Sequence, residues 1–550
     1  MSYLTTPIYY VNDLPHVGHA YSTVLADALA RWERLCGRPV RLVTGTDEHG
    51  AKVRRAAAEA GIAPATFADR TAGRFRATWD RLGIGYDEFV RTTSARHRET
   101  VTELLTRVYE AGHLRPGRYD GRYCVGCEAY ATELVCAVHG RPTELVGEEN
   151  WFFRLSEFAR PLAEWFDRCP EAVRPAARRN EALGWLRRGL TDFSISRAGL
   201  DWGIPLPWEP SQVTYVWFDA LGSYLTAAGW PAPEYSRWWP ARHVIGKDIL
   251  RFHAVYWPAI LLAAELPLPE RITVHGFLLQ RGSKIAKSGE RAVALDDLLD
   301  RFGPEGLRYH LLRDNPVGPD GEFSLASVEA RYNADLANTL GNLLSRVTAL
   351  VVSRCAGTGP APDPSSPLAP AAARWAEAGA AGWSAGAPSE ALAAAWRLVA
   401  ATNSYLVSAQ PWRSPAGSTE AATVLGDALE ALRIVAVLAA PAVPETAGRI
   451  WRQIGLDGYA PRVPDDLAWG GYPGGVGVTR AAPLFPPARG RRTPAGRRGG
   501  IVPGCAPIRL PTPWTSWWPG PARWRRPGRA GCSASPARRR RASRPWPGCW

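Results

Sequence analysis

The chain has 550 residues, 46% hydrophobic and 21% charged, which fits an ordinary soluble globular protein of two to four domains at about 150 residues each. No apolar run approaches the ~20 residues of a membrane span, and the N-terminus lacks a charged region followed by an apolar core, so a cytoplasmic, non-membrane protein is expected. The net charge of +14 is not a nucleic-acid footprint: Pro487 to Trp550 holds fifteen arginines and no lysine or acidic residue, and removing them leaves residues 1–486 at about −1.

Residues 3–11 (YLTTPIYYV) are β-branched and aromatic, as a buried strand should be, and Asn12-Asp13-Leu14-Pro15 breaks it. Val17, Ala20, Tyr21, Val24, Leu25, Ala28, Leu29 and Trp32 then recur at helical spacing, with Gly37 suited to the stop. Val40 to Val43 is a second strand. Together they make a βαβ unit, which predicts a parallel sheet with ligands at its carboxyl ends.

The pattern resumes at Arg242-His243-Val244-Ile245, followed by Gly246-Lys247-Asp248 and a helix expected from Ile249 to about Leu266. From about 326 the sequence is Ala/Leu-rich and helical, broken by a Pro-rich loop, Thr358–Pro370. The expected fold is α/β: a Rossmann-like parallel sheet in two halves (1–114 and 206–325), split by a zinc-bearing inserted domain (115–205). An α-helical bundle (326–480) follows. The Arg/Pro/Trp-rich tail (487–550) cannot bury a core and is expected to be disordered. Its six tryptophans show no organised spacing, which favours an aberrant extension such as a shifted reading frame over an appended RNA-binding arm.

Nine cysteines, scattered and odd in number, do not form a disulfide framework. Three of them cluster. Cys124 and Cys127, then eight residues, then Cys136 and His139 offer three thiolates and an imidazole in two ligand pairs. Such a closed set suits one tetrahedral, structural Zn²⁺ rather than a catalytic metal.

His16-Val17-Gly18-His19 falls where the first strand gives way to the first helix. A helix start offers N–H groups and a positive dipole end to an anion, and two imidazoles on that turn can face a phosphate. Gly18 would let a flat ring such as adenine lie on the backbone. Lys284-Ile285-Ala286-Lys287-Ser288, flanked by Gly282 and Gly289, is a loop whose two ammonium groups could neutralise a departing pyrophosphate.

In this order the two segments resemble the HIGH and KMSKS motifs of class I aminoacyl-tRNA synthetases, and the resemblance covers nearly all of residues 1–480. The second departs from the usual pattern at Ile285 and Ala286, while both lysines and Ser288 remain. The segment Thr6-Pro7-Ile8-Tyr9-Tyr10-Val11-Asn12 and two stripes, Trp217/Ala220/Leu221/Tyr224 and Ile249/Phe252/His253/Tyr256, are similar to the methionine-specific branch.

The resemblance implies ATP-dependent activation of L-methionine, with Mg²⁺ accompanying the ATP, and transfer to tRNA(Met), including the initiator. It implies phosphate contacts from His16, His19, Lys284 and Lys287, and nucleotide contacts from Gly18, Gly246, Asp248 and Ser288, Asp248 on the ribose. A methionine pocket is implied from Ile8, Tyr10, Trp217, Leu221, Tyr224, Ile249 and Phe252, with Tyr10 and His253 near the sulfur and Asp47 on the ammonium. It also implies anticodon contacts from Asn342, Arg346, Pro411 and Trp412, and a zinc knot in the inserted domain. No dimerising C-terminal module is recognisable, so a monomer is expected. Three rivals stand beside this reading: a synthetase for another amino acid, a nucleotidyltransferase sharing the HxGH site, and a catalytically degenerate paralogue.

Overall fold

The computed structural model describes residues 1–124, 129–131, 133–136, 140–280, 283–284, 294–480 and 483–486, with the backbone alone for 129–131 and 283–284. Cys127, His139, Lys287, Ser288 and the tail lie outside the described residues.

Six strands form one parallel sheet in the order Glu88–Arg91 (β3), Val40–Asp47 (β2), Ser2–Tyr10 (β1), Arg242–Gly246, Arg271–His275, Val173–Arg174. The chain leaves β1 toward β2 on one side and returns to its other side at Arg242–Gly246. This is the switch point at which open α/β sheets bind ligands beyond their carboxyl ends. The first helix, Val17–Leu35 (α1), buries every residue of its apolar stripe from Val17 to Trp32. Gly37 closes it at φ +71°, with its N–H on Arg34 O and that of Arg38 on Glu33 O.

The stretch 115–205 builds a four-stranded antiparallel sheet around Leu114–Cys124 and Glu144–Phe153. It also sends Val173–Arg174 into the main sheet as its edge strand. The helix expected from Ile249 to about Leu266 forms with a modified interior: a 3₁₀ turn at Lys247–Ile249, a π-turn at Phe252–Tyr256, and an α-helix over Trp257–Ala263. A π-turn admits one extra residue, and such turns concentrate at functional sites.

The C-terminal region is helical: Asn342–Arg354, Ala369–Ala385, Pro388–Ala409, Thr419–Ala439 and Pro444–Gln453. Thr419–Ala439 is its centre, buried on all sides from Leu425 to Ala439. A fully buried ion pair ties this region to the first helix. Arg308 meets Asp27 of α1 at 2.6 Å and donates to the carbonyls of Pro441 and Ala442. Burial opposes the Asp27 charge, but Arg308 and Arg31 outweigh it and hold the carboxyl below its usual range. Among the described residues no helix is long and apolar enough to cross a membrane.

Candidate active site

The carboxyl ends of β1 and β2 bring Tyr10 and Asp47 together as direct register partners, with the Asp47 side chain buried. Neighbouring strands lie ~4.8 Å apart, so the phenol and the carboxylate open onto one space. Ile8, paired with Gly45, is half-buried on the same strand. Tyr10 meets the edge of Trp217 at 6.3 Å, and Trp217 stacks on Phe252 at 3.6 Å. The helix Val216–Ala228 supplies Trp217, Leu221 and Tyr224, the last two fully inside.

His253 sits on the π-turn, and its bonds fix its protons. Its Nδ1–H donates to the Ile249 carbonyl (3.0 Å), so its Nε2 accepts from the Tyr224 hydroxyl (2.7 Å). A buried imidazole needs partners, and these are they. Burial pushes His253 down to about 4, keeping it neutral. His243 lies beside Tyr224 and is pushed well below the usual histidine range, by burial first and by His253 second.

His16 is the N-cap of α1. Its Nδ1 accepts the N–H groups of Gly18 (3.0 Å) and His19 (3.4 Å), while its own N–H donates to His19 Nδ1 (3.4 Å). Two Nδ1 acceptors place both ring protons on Nε2, so each neutral imidazole presents an N–H away from the helix. The two rings stack at 3.6 Å. A Cβ on Gly18 would come within 2.9 Å of the His16 ring, so the missing side chain makes room for the cap.

Gly246 and His275 are register partners at the ends of the next two strands. A Cβ on Gly246 would lie 2.6 Å from Asp248 Oδ1, so glycine there lets the exposed Asp248 carboxylate fold back over the strand end. His275 donates from Nδ1 to the Gly276 carbonyl, and its Nε2 accepts from Ser22, which docks α1 onto the Arg271–His275 strand. The backbone of Lys284 lies on the hairpin that follows, opposite Leu279.

On the helical side, Asn342 and Arg346 are exposed one turn apart on Asn342–Arg354. Helix Pro388–Ala409 ends at Gln410 in the left-handed region, and the turn beyond buries Pro411 and leaves Trp412 37% exposed. Trp412 O accepts from Arg354, which holds the turn against the helix carrying Asn342 and Arg346.

Three features escaped the sequence reading. Asp219, the one charged residue in the helix Val216–Ala228, is fully buried between His49 and His97. Glu48, beside Asp47, is buried against a bidentate Arg91 at 2.7 and 2.9 Å. Lys52 lies 4.6 Å over the Tyr10 ring. The signal for Asp219 was present: a lone carboxylate in an apolar helix must find partners.

Comparison with known proteins agrees with this arrangement. A family model described as tRNA synthetases class I (M) matches residues 2–135 and 130–348, and one described as the anticodon binding domain of methionyl tRNA ligase matches 387–479. The chain is 40% identical to the methionine–tRNA ligase of Streptomyces coelicolor over 516 residues, covering 88% of this chain and 96% of that one. It is 43% identical over 474 residues to the ligase of Synechocystis, covering 82% and 89%. Among solved structures, the Mycobacterium tuberculosis methionyl-tRNA synthetase in complex with methionyl-adenylate superposes with a TM-score of 0.83 at 38% identity, covering 88% of this chain and 99% of that one. On the strength of both family models and of these relatives, the chain belongs to the methionyl branch of the class I tRNA synthetases.

Proposed function

We propose that this chain is a methionine–tRNA ligase, activating L-methionine with ATP and esterifying it to tRNA(Met), initiator included. One observation carries the reading: a buried carboxylate, Asp47, stands beside an aromatic slot, Tyr10–Trp217–Phe252, at the switch point of a parallel sheet. An unbranched, polarizable side chain with an ammonium at its other end matches that pairing. Asp47 holds the ammonium, and the methionine thioether lies against Ile8, Leu221 and Ile249, near the Tyr10 hydroxyl and His253.

The methionine carboxylate oxygen attacks the α-phosphorus of ATP, the bond to the bridging oxygen breaks, and pyrophosphate leaves. The Nε2–H groups of His16 and His19 donate to the transferring phosphate; Lys284 and Lys287 neutralise the leaving group, with Ser288 beside it. Gly246 and Asp248 seat the ribose, and Mg²⁺ enters with the nucleotide. A terminal tRNA hydroxyl then attacks the acyl carbon and AMP departs. No side chain acts as nucleophile, so positioning and electrostatics supply the rate. Asn342, Arg346 and Trp412, seated on Pro411, meet the anticodon. We place the protein in the cytoplasm as a monomer.

The inserted domain is proposed to hold one structural Zn²⁺. Cys124 pairs with Ala129 across the sheet, and Cys127 follows it at ligand spacing in the sequence. Cys136 bonds through its backbone to Gly140 and Arg141, and His139 lies three residues after it in the sequence. Both described thiols are buried, and the paired spacing of the four residues suits a tetrahedral site. Metal analysis of the purified chain should return one zinc per molecule; none would remove this site. For the main reading, tRNA(Met) transcripts should accept labelled methionine while transcripts with an altered anticodon do so poorly, and equal charging of both would overturn it.

A further inference from the structure

The helix Val216–Ala228 has two working faces. One carries Trp217, Leu221 and Tyr224 toward the aromatic slot. The other carries Asp219, whose carboxylate is fully buried and bonded twice, Oδ2 to His49 Nδ1 and Oδ1 to His97 Nε2, both at 2.6 Å. A carboxylate only accepts, so both imidazoles donate to it. His97 belongs to the helix Ala95–Glu110, and its Nδ1 lies 2.9 Å from Thr226 on the same face as Asp219, a second tie between the two helices.

His49 stands two residues after Asp47, and Trp217 two residues before Asp219. The loop between them is pinned on its far side as well: Trp202 donates to Glu48 O and accepts from Gly50 N–H. A buried charge stabilises a fold little better than a packed apolar residue would. What it enforces is a distance. We propose that Asp219 is a positioning residue for amino-acid binding: through His49 it fixes the separation between the Asp47 carboxylate and the aromatic wall at Trp217. The inference rests on the methionine-activating reading and names a residue that never touches the substrate.

Asn can mimic a histidine Nδ1–H donor and Leu cannot, which gives a conservative control. Asp219→Asn and His49→Leu, in the full chain, should raise the methionine Kd (calorimetry without ATP) and the methionine KM in pyrophosphate exchange tenfold or more. The ATP KM should stay within twofold. His49→Asn should restore methionine binding to within about threefold of the unsubstituted chain. The double variant Asp219→Asn/His49→Leu should be no worse than the weaker single one, since both cut one link. Folded variants whose methionine KM is unchanged, or whose methionine and ATP KM values rise together, would overturn the inference. If Asp219→Asn does not fold, the His49 pair decides by the same criterion. Absence of methionine binding by the unsubstituted chain would instead remove the functional reading, and this inference with it.

Discussion

The imidazoles of His16 and His19 hold each other in place: the ring of each accepts a backbone N–H of the other, and the rings stack at 3.6 Å at the mouth of α1. The tautomer follows from the cap, so the two Nε2–H donors are set by the same bonds that start the helix. Cap and chemistry can be separated. An asparagine at position 16 retains a capping oxygen but lacks a ring N–H on the Nε2 side. His16→Asn should therefore keep its melting temperature while pyrophosphate exchange falls by about 10²–10³-fold, the loss typical of one preorganised donor. Equal losses of stability and rate would assign the residue to the fold alone.

Tyr224 and His253 form a pair that tests the pocket's architecture. Tyr224→Phe removes the hydroxyl that His253 Nε2 accepts from and leaves that nitrogen buried without a donor. A stranded buried acceptor costs about 1–3 kcal/mol, which chemical denaturation would read directly. No change in unfolding midpoint would mean that water or the ring itself replaces the bond.

Acid should weaken the protein before its carboxylates titrate. An unfolded histidine takes a proton near 6.5, whereas folded His253 stays neutral down to about 4 because burial penalises its charge. Between those values the unfolded chain binds more protons, so stability falls as pH drops from about 6.5 to 4, by on the order of 3 kcal/mol for this residue. His243, shifted the same way, adds to the loss as pH falls below about 6.5. Asp219 acts lower. Burial would raise its carboxyl, but His49 and His97 hold it down at about 2, so its contribution is present above about 3.8 and disappears as pH falls toward 2. A His253→Gln variant should show a flatter stability profile between pH 6.5 and 4, and an unchanged slope would contradict the assignment.

Trp412 tests the RNA end. Base stacking on an aromatic ring is worth about 1–3 kcal/mol, so Trp412→Ala should raise the tRNA KM for aminoacylation by about 5- to 150-fold. Methionine activation measured without tRNA serves as the comparison. Loss of both together would place the indole in the fold rather than at the RNA.

The βαβ core was legible because its signals are local. The α1 stripe repeats for about four turns, Gly37 sits where a left-handed stop is needed, and Tyr10 and Asp47 end strands that carry their own composition. The π-turn at Phe252–Tyr256 was not legible, because one inserted residue per turn barely disturbs a short i, i+3, i+4 pattern. Nor was the edge strand Val173–Arg174, at two residues too short to show a period. The role of Asp219 depends on His97, 122 positions earlier, and on His49, 170 positions earlier; no window along the chain contains that relation. The exposure of Trp412 was not legible, because it depends on the left-handed Gln410 that ends the helix before it, a backbone conformation no sequence pattern announces.

The most direct test is ATP–pyrophosphate exchange by the full chain with each of the twenty amino acids in turn. Methionine alone should support exchange at micromolar to millimolar concentration, with Lys287→Ala slowing the reaction far more than it weakens methionine binding. Exchange driven by a different amino acid, or by none, would contradict the account at its root.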